Sequence, residues 1–191
     1  MNIAFSWYFV RVSGIVSVAL LLLIILSGIG QVTGWTYRFL APIRAWTVHK
    51  ILSFSLAAAV ALHVLPLLID KFHPATLWQI LIPFLWQYNN GTTFLGLPLA
   101  PLAISFGVIA VYLLAVVILS SLSWNVKYPK LWHWTHQLSY VLMALIFFHV
   151  LYTGSDAKDG LDRLLWIAAG GLVLVASLLR LWRAGSLRRE K

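Results

Sequence analysis

The chain has 191 residues, of which 61% are hydrophobic, 10% are charged and none is cysteine. A water-soluble domain of this size carries charge on roughly a quarter of its residues, so this composition belongs to a chain dissolved in lipid. The lack of cysteine excludes disulfides, thiolate nucleophiles, iron–sulfur clusters and cysteine-ligated zinc. The net charge of +9 is gathered in loops and one terminus, which speaks against a nucleic-acid partner.

Apolar residues come in runs of about 20, the length a helix needs to cross the hydrocarbon core. The expected fold is therefore all-α: one integral membrane bundle of about five transmembrane helices. The first span covers residues 7–30 and reads as uncleaved, because its apolar run is too long for a signal peptide and no small-residue cleavage site follows it. The second covers 44–69. Between Lys71 and Pro98, the apolar stretch Leu77–Trp86 is too short to cross, and Asn89-Asn90-Gly91 reads as a turn. An interfacial helix and loop are expected there, with Trp78, Trp86 and Tyr88 at headgroup level. The third span covers 99–122, the fourth 131–152 and the fifth 164–182, followed by a basic tail over 183–191.

Five of the 14 Lys and Arg residues stand in the last twelve positions: Arg180, Arg183, Arg188, Arg189 and Lys191. With five spans, this tail shares a side with Arg38, Arg44, Lys50, Lys127 and Lys130, while Arg11, Lys71, Lys158 and Arg163 lie opposite. The positive-inside rule then places the C-terminus in the cytoplasm and the N-terminus outside.

Ionisable residues inside a membrane are costly, which makes each one a functional candidate. Four of the six histidines fall within spans, as His49 and His63 on the second and His136 and His149 on the fourth. The intervals are 14 and 13 residues, or roughly 20 Å along a helix. The two spans are separated by one other crossing and run in the same direction. His49 and His136 therefore share a depth near the inner side, and His63 and His149 share one nearer the outside. Two histidines facing each other at one depth suit both axial positions of a haem iron, with the porphyrin between two parallel helices. Two such levels give two stacked haems and a route for electrons along the membrane normal. The bland alternative is that these histidines bond between helices. A mononuclear zinc or copper ion fits less well, because the levels are far apart and no carboxylate joins either pair. At 100° per residue a 14-residue step nearly returns to the same face, but a 13-residue step misses it by about 140°. Either the levels differ in azimuth, or the fourth helix bends or carries a π-turn. His133 reads as interfacial and His73, before Pro74, as an outer-loop residue.

At these residues the sequence resembles the ferric-reductase-like transmembrane domain family. That family includes the membrane halves of NADPH oxidases and metalloreductases and the haem-bearing membrane subunit of the bacterial methionine sulfoxide reductase system. The matching features are Val48-His49-Lys50, His63, Trp132 to His136, Tyr140 and His149, with intervals similar to those of the two-haem oxidases. Phe9-Val10-Arg11-Val12-Ser13-Gly14 and Tyr152-Thr153-Gly154-Ser155-Asp156 look like bacterial members. The resemblance covers residues 8–180. It implies two haem b groups, an inner one on His49 and His136 and an outer one on His63 and His149, with Arg11 near a propionate or between the haems. Arg38, Arg44 and Lys127 are inner-side candidates for propionate or partner contacts.

The chain departs from the oxidases in lacking a sixth span and any Gly-x-Gly-x-x-Gly phosphate fingerprint. The electron source is then expected to be a cytoplasmic flavin reductase, a reduced flavin or a quinol, and the acceptor to lie on the outer side. No Ser–His–Asp or paired-carboxylate arrangement supports hydrolytic catalysis. Two other readings stand beside this one: a haem-bearing anchor subunit of a larger respiratory or photosynthetic complex, and a haem-free membrane scaffold or transporter.

Overall fold

A computed structural model describes residues 3–70, 74–88, 90–94, 96–154, 157 and 160–189, with the backbone alone at 3–5, 94 and 181–189. Among the described residues six α-helices occur, in the order α1 (Ile3–Val32), α2 (Pro42–Val64), α3 (Leu77–Leu81), α4 (Leu99–Ser123), α5 (Pro129–Thr153) and α6 (Gly160–Arg189). All but α3 are long and apolar enough to cross a membrane. This is the all-α membrane bundle expected from composition. His73, Lys71, Asn89, Ser155, Asp156 and Lys158, together with the side chains of the basic tail beyond Arg180, lie outside the described residues.

Proline sets where two of the long helices start. Pro42 and Pro129 occupy the first turns of α2 and α5, where a missing N–H leaves no hydrogen bond unmade. Hydropathy alone begins these helices two residues later. At the other end of the chain, α6 stays helical to Arg189 rather than giving way to a tail after Trp182. Leu, Ala and Arg dominate that segment and are strong helix formers.

Two antiparallel hairpins build the bundle, α1 with α2 and α4 with α5. Each is packed closely within itself, yet the two barely touch one another, and α6 lies along α1 with a smaller contact to α5. Buried Leu21, Ile25, Leu56, Leu142 and Met143 belong to one core cluster. Leu56 stands midway along α2 between His49 and His63, and Leu142 and Met143 stand midway along α5 between His136 and His149. The outward residues, such as Leu23, Leu119 and Leu174, are more than half exposed. In a bilayer these faces meet acyl chains, so their exposure carries no penalty.

The segment between α2 and α4 is tied down at several points. After α2, a 3-10 turn over Leu65–Leu68 leads to Asp70, a buried carboxylate that accepts a 2.6 Å hydrogen bond from Ser6 at the start of α1. α3 opens with a reciprocal capping box between Thr76 and Gln79. The helix expected over 77–86 stops at Leu81, shortly before Pro83, which lacks the N–H to continue it. Phe84 then adopts φ 66, and its N–H donates to the Ser105 hydroxyl of α4 at 2.8 Å. The Tyr112 hydroxyl donates to the Leu81 carbonyl at 2.6 Å, and the Asn90 amide donates to the Tyr152 carbonyl at 2.7 Å. A two-residue antiparallel ladder, β1 (Thr93–Phe94) with β2 (Leu97–Pro98), closes the segment. The loop therefore lies folded against α4 and the last turn of α5.

α6 docks through an aromatic contact. The Trp166 and Phe147 rings are stacked with centroids 5.6 Å apart, and the indole N–H donates to the Phe147 carbonyl at 3.2 Å. A Cβ at Gly170 would run into the Phe147 ring, whereas one at Gly171 meets nothing. Gly170→Ala is expected to destabilise the bundle by about 1–3 kcal/mol through overpacking, while Gly171→Ala is neutral or stabilising; thermal unfolding in detergent compares the two.

Candidate functional site

Each ligand candidate is held by the helix next to its own. On α2, the His63 Nδ1 lies 2.9 Å from the Val10 carbonyl of α1, and the His49 Nδ1 lies 2.7 Å from the Ser27 hydroxyl. On α5, the His149 Nδ1 lies 2.9 Å from the Ala103 carbonyl of α4, and the His136 Nδ1 lies 3.2 Å from the Ser121 hydroxyl. A carbonyl only accepts, so His63 and His149 carry their proton on Nδ1 and leave Nε2 as a lone pair. That is the ligating tautomer, fixed by a bond to the other ring nitrogen.

Glycine makes this approach possible. A Cβ at Gly14 of α1 would come within 3.0 Å of the His63 ring, and one at Gly107 of α4 within 2.7 Å of the His149 Nδ1. Both glycines stand four residues after the carbonyl that receives the histidine proton, so one turn of helix supplies the acceptor and the space. Gly28 faces His49 with more room, a Cβ there lying 3.5 Å from Cε1. Gly14 and Gly28 are 14 residues apart, as are His49 and His63, so the two strips of the α1–α2 hairpin match in register.

The four rings meet in two pairs across the gap between hairpins. The His49 and His136 centroids are 6.2 Å apart, and those of His63 and His149 are 6.5 Å apart. Two imidazoles trans on one iron, each bonded at about 2.0 Å, place their ring centroids roughly 6 Å apart. Both pairs fit that separation. The sparsely packed space between hairpins also suits a flat macrocycle. Among the described residues no cluster of three or more His, Cys, Asp or Glu side chains exists, so each level offers a pair of imidazoles rather than a closed metal cage.

No π-turn interrupts α5, so it does not supply the correction that a 13-residue interval calls for. Within each pair the two ring planes are inclined to one another, by 51° for His49 and His136 and by 85° for His63 and His149. On α4, Gly107 and Ser121 are 14 residues apart while their histidine partners are 13 apart. The longest of the four Nδ1 contacts falls in that mismatched hairpin.

Other candidates are placed as follows. Arg11 adjoins Val10, at the depth of His63, with its guanidinium 4.8 Å from the Trp7 ring centroid. His133 is exposed and bonds to Gln137 on its own helix. Arg38 ends a short 3-10 turn between α1 and α2, Arg44 is exposed in the first turn of α2, and Lys127 rests against Tyr128. Arg180, grouped with the tail by sequence, instead lies over the Tyr140 ring and donates to its hydroxyl. Sequence reading passed over Ser27, Ser121 and Gly107, whereas Trp132, part of the family resemblance, packs its ring 5.3 Å from that of His136. The repeated 14-residue spacing of small residues was the available signal.

Residues 13–147 match the family described as ferric reductase like transmembrane component, and the chain belongs to that family. Comparisons with curated proteins and with solved structures return no match. Domains of this family generally bind haem, and membership points to transmembrane electron transfer.

Gly107→Ala is expected to displace the His149 ring and lower the haem bound per chain, whereas Gly28→Ala leaves it unchanged. A pyridine haemochrome count on detergent-purified protein reads both.

Proposed function

We propose that this member of the ferric-reductase-like family is a dihaem b-type electron-transfer protein that carries electrons from the cytoplasm to an acceptor outside. The observation that supports it most is the two facing imidazole pairs, each ring held through Nδ1 by a neighbouring helix, which leaves Nε2 as the nitrogen available to a metal. His49 and His136 hold the inner haem and His63 and His149 the outer one. When bound, each haem would supply a one-electron iron centre whose potential these imidazoles and their surroundings would tune.

The chain's own residues bind, orient and insulate. The Val10 and Ala103 carbonyls and the Ser27 and Ser121 hydroxyls hold the four rings at their angles. Leu56, Leu142 and Met143 fill the layer between levels with aliphatic side chains and keep water out of the route. Arg11, close in sequence to the outer-level acceptor Val10, offers a cation to a propionate, which an intramembrane arginine requires. The donor is a cytoplasmic flavin reductase or reduced flavin, one electron entering at the inner side for each that leaves at the outer side. The acceptor is a protein, chelate or complex subunit on the outer face.

The resemblance of residues 9–14 and 152–156 to bacterial members supports a bacterial inner membrane, and charge placement supports an outer N-terminus and a cytoplasmic C-terminus. A C-terminal fluorescent reporter is expected to light up and a C-terminal periplasmic phosphatase to stay inactive; the reverse pattern would invert the direction of transfer.

Ligand pairing is tested by substitution. The native chain is expected to bind two b haems. His49→Ala and His136→Ala should each remove the same spectral component, and His63→Ala and His149→Ala the other. A purified native chain lacking haem, when made with haem in supply, would sink the proposal.

A further inference from the structure

The two levels differ in what receives the histidine proton. At the outer level both acceptors are backbone carbonyls, Val10 and Ala103. At the inner level both are side-chain hydroxyls, Ser27 and Ser121. Each serine has one proton, and a backbone carbonyl is in place to take it. Ser27 donates to the Ile24 carbonyl at 2.9 Å, and Ser121 donates to the Val117 carbonyl at 2.6 Å. The serine oxygens are left to accept, so His49 and His136 also carry Nδ1–H and present Nε2 as a lone pair.

The two serines are not equivalent. Ser27 stands 2.7 Å from the His49 Nδ1 and has no second donor among its hydrogen bonds. Ser121 stands 3.2 Å from the His136 Nδ1 and also receives the Trp132 indole N–H at 3.2 Å, so two donors share one oxygen. The Ser27 contact is the shorter and the undivided one.

Resting on the dihaem reading above, we infer that Ser27 and Ser121 are positioning residues that set the redox potential of the inner haem separately from the outer one. An acceptor on Nδ1–H makes the imidazole a better donor to iron. A better donor stabilises the oxidised metal, so each serine lowers the inner potential, Ser27 more than Ser121. The outer level has no counterpart open to substitution, because its acceptors are main-chain atoms. A one-residue change therefore reaches one haem and leaves the other alone.

The test is a potentiometric titration of purified native protein, Ser27→Ala, Ser121→Ala and Ser27→Thr, with the two components assigned by the His49→Ala and His63→Ala spectra. The expected result is an upward shift of the inner midpoint in Ser27→Ala and a smaller one in Ser121→Ala. The outer midpoint stays in place, and Ser27→Thr keeps the native value. Loss of the inner haem in Ser27→Ala, with its retention at the native potential in Ser27→Thr, also supports the inference. Unchanged potentials in both alanine variants, or equal shifts of both haems, overturn it while leaving the dihaem reading intact. A native chain without two haems overturns that reading, and the inference with it, before any serine variant is compared.

Discussion

The arrangement depends on how closely α1 approaches α2 and α4 approaches α5. An imidazole whose Nδ1 must reach a main-chain carbonyl on the next helix has to press against that helix, and only a glycine surface admits it. Gly14 under His63 and Gly107 under His149 provide that surface. Once the rings are held there, the rest is constrained: the hairpins pack tightly within themselves, the histidine rings face one another in pairs, and the two hairpins approach each other sparsely along their backbones.

Lipid explains why so much else can be loose. A soluble bundle of this size would have to hide Leu23, Leu119 and Leu174, and would draw its helices together until little room remained between the hairpins. In a bilayer those side chains are already among their own kind, so no hydrophobic force closes the gap. Specific contacts carry the burden instead: the Trp166 stack on Phe147, the Ser6 bond to Asp70, and the loop fastened to α4 and α5 by Phe84, Tyr112 and Asn90.

Much of this was legible in the sequence because the bilayer imposes a length on every span and a penalty on every charge within it. The number of crossings, the shared direction of the second and fourth spans and the pairing of histidines by depth all follow from counting. Helix starts at Pro42 and Pro129 were missed because hydropathy says nothing about which residue can lack an N–H. The early stop of α3 was missed for a related reason, since Pro83 stands inside an apolar run. The hydroxyl and carbonyl acceptors were beyond reach because they depend on how α1 and α4 are rotated about their axes, which a nearly uniform apolar helix does not reveal. The glycines sat between these cases, their spacing visible but without meaning until it was set against the histidines.

The matching 14-residue strips on α1 and α2 have a bearing on how such a chain can change over generations. Substitutions on the lipid side cost little, but a deletion or insertion between Gly14 and Gly28 moves one glycine out from under its histidine. Only an equal change between His49 and His63 restores the fit, and two such events must coincide to be tolerated. Descent should therefore have left the lengths of these segments nearly frozen while their apolar letters drifted, so that relatives are recognised by intervals long after identity has faded. The α4–α5 hairpin, already one residue out of step, is where a surviving length difference would first be sought.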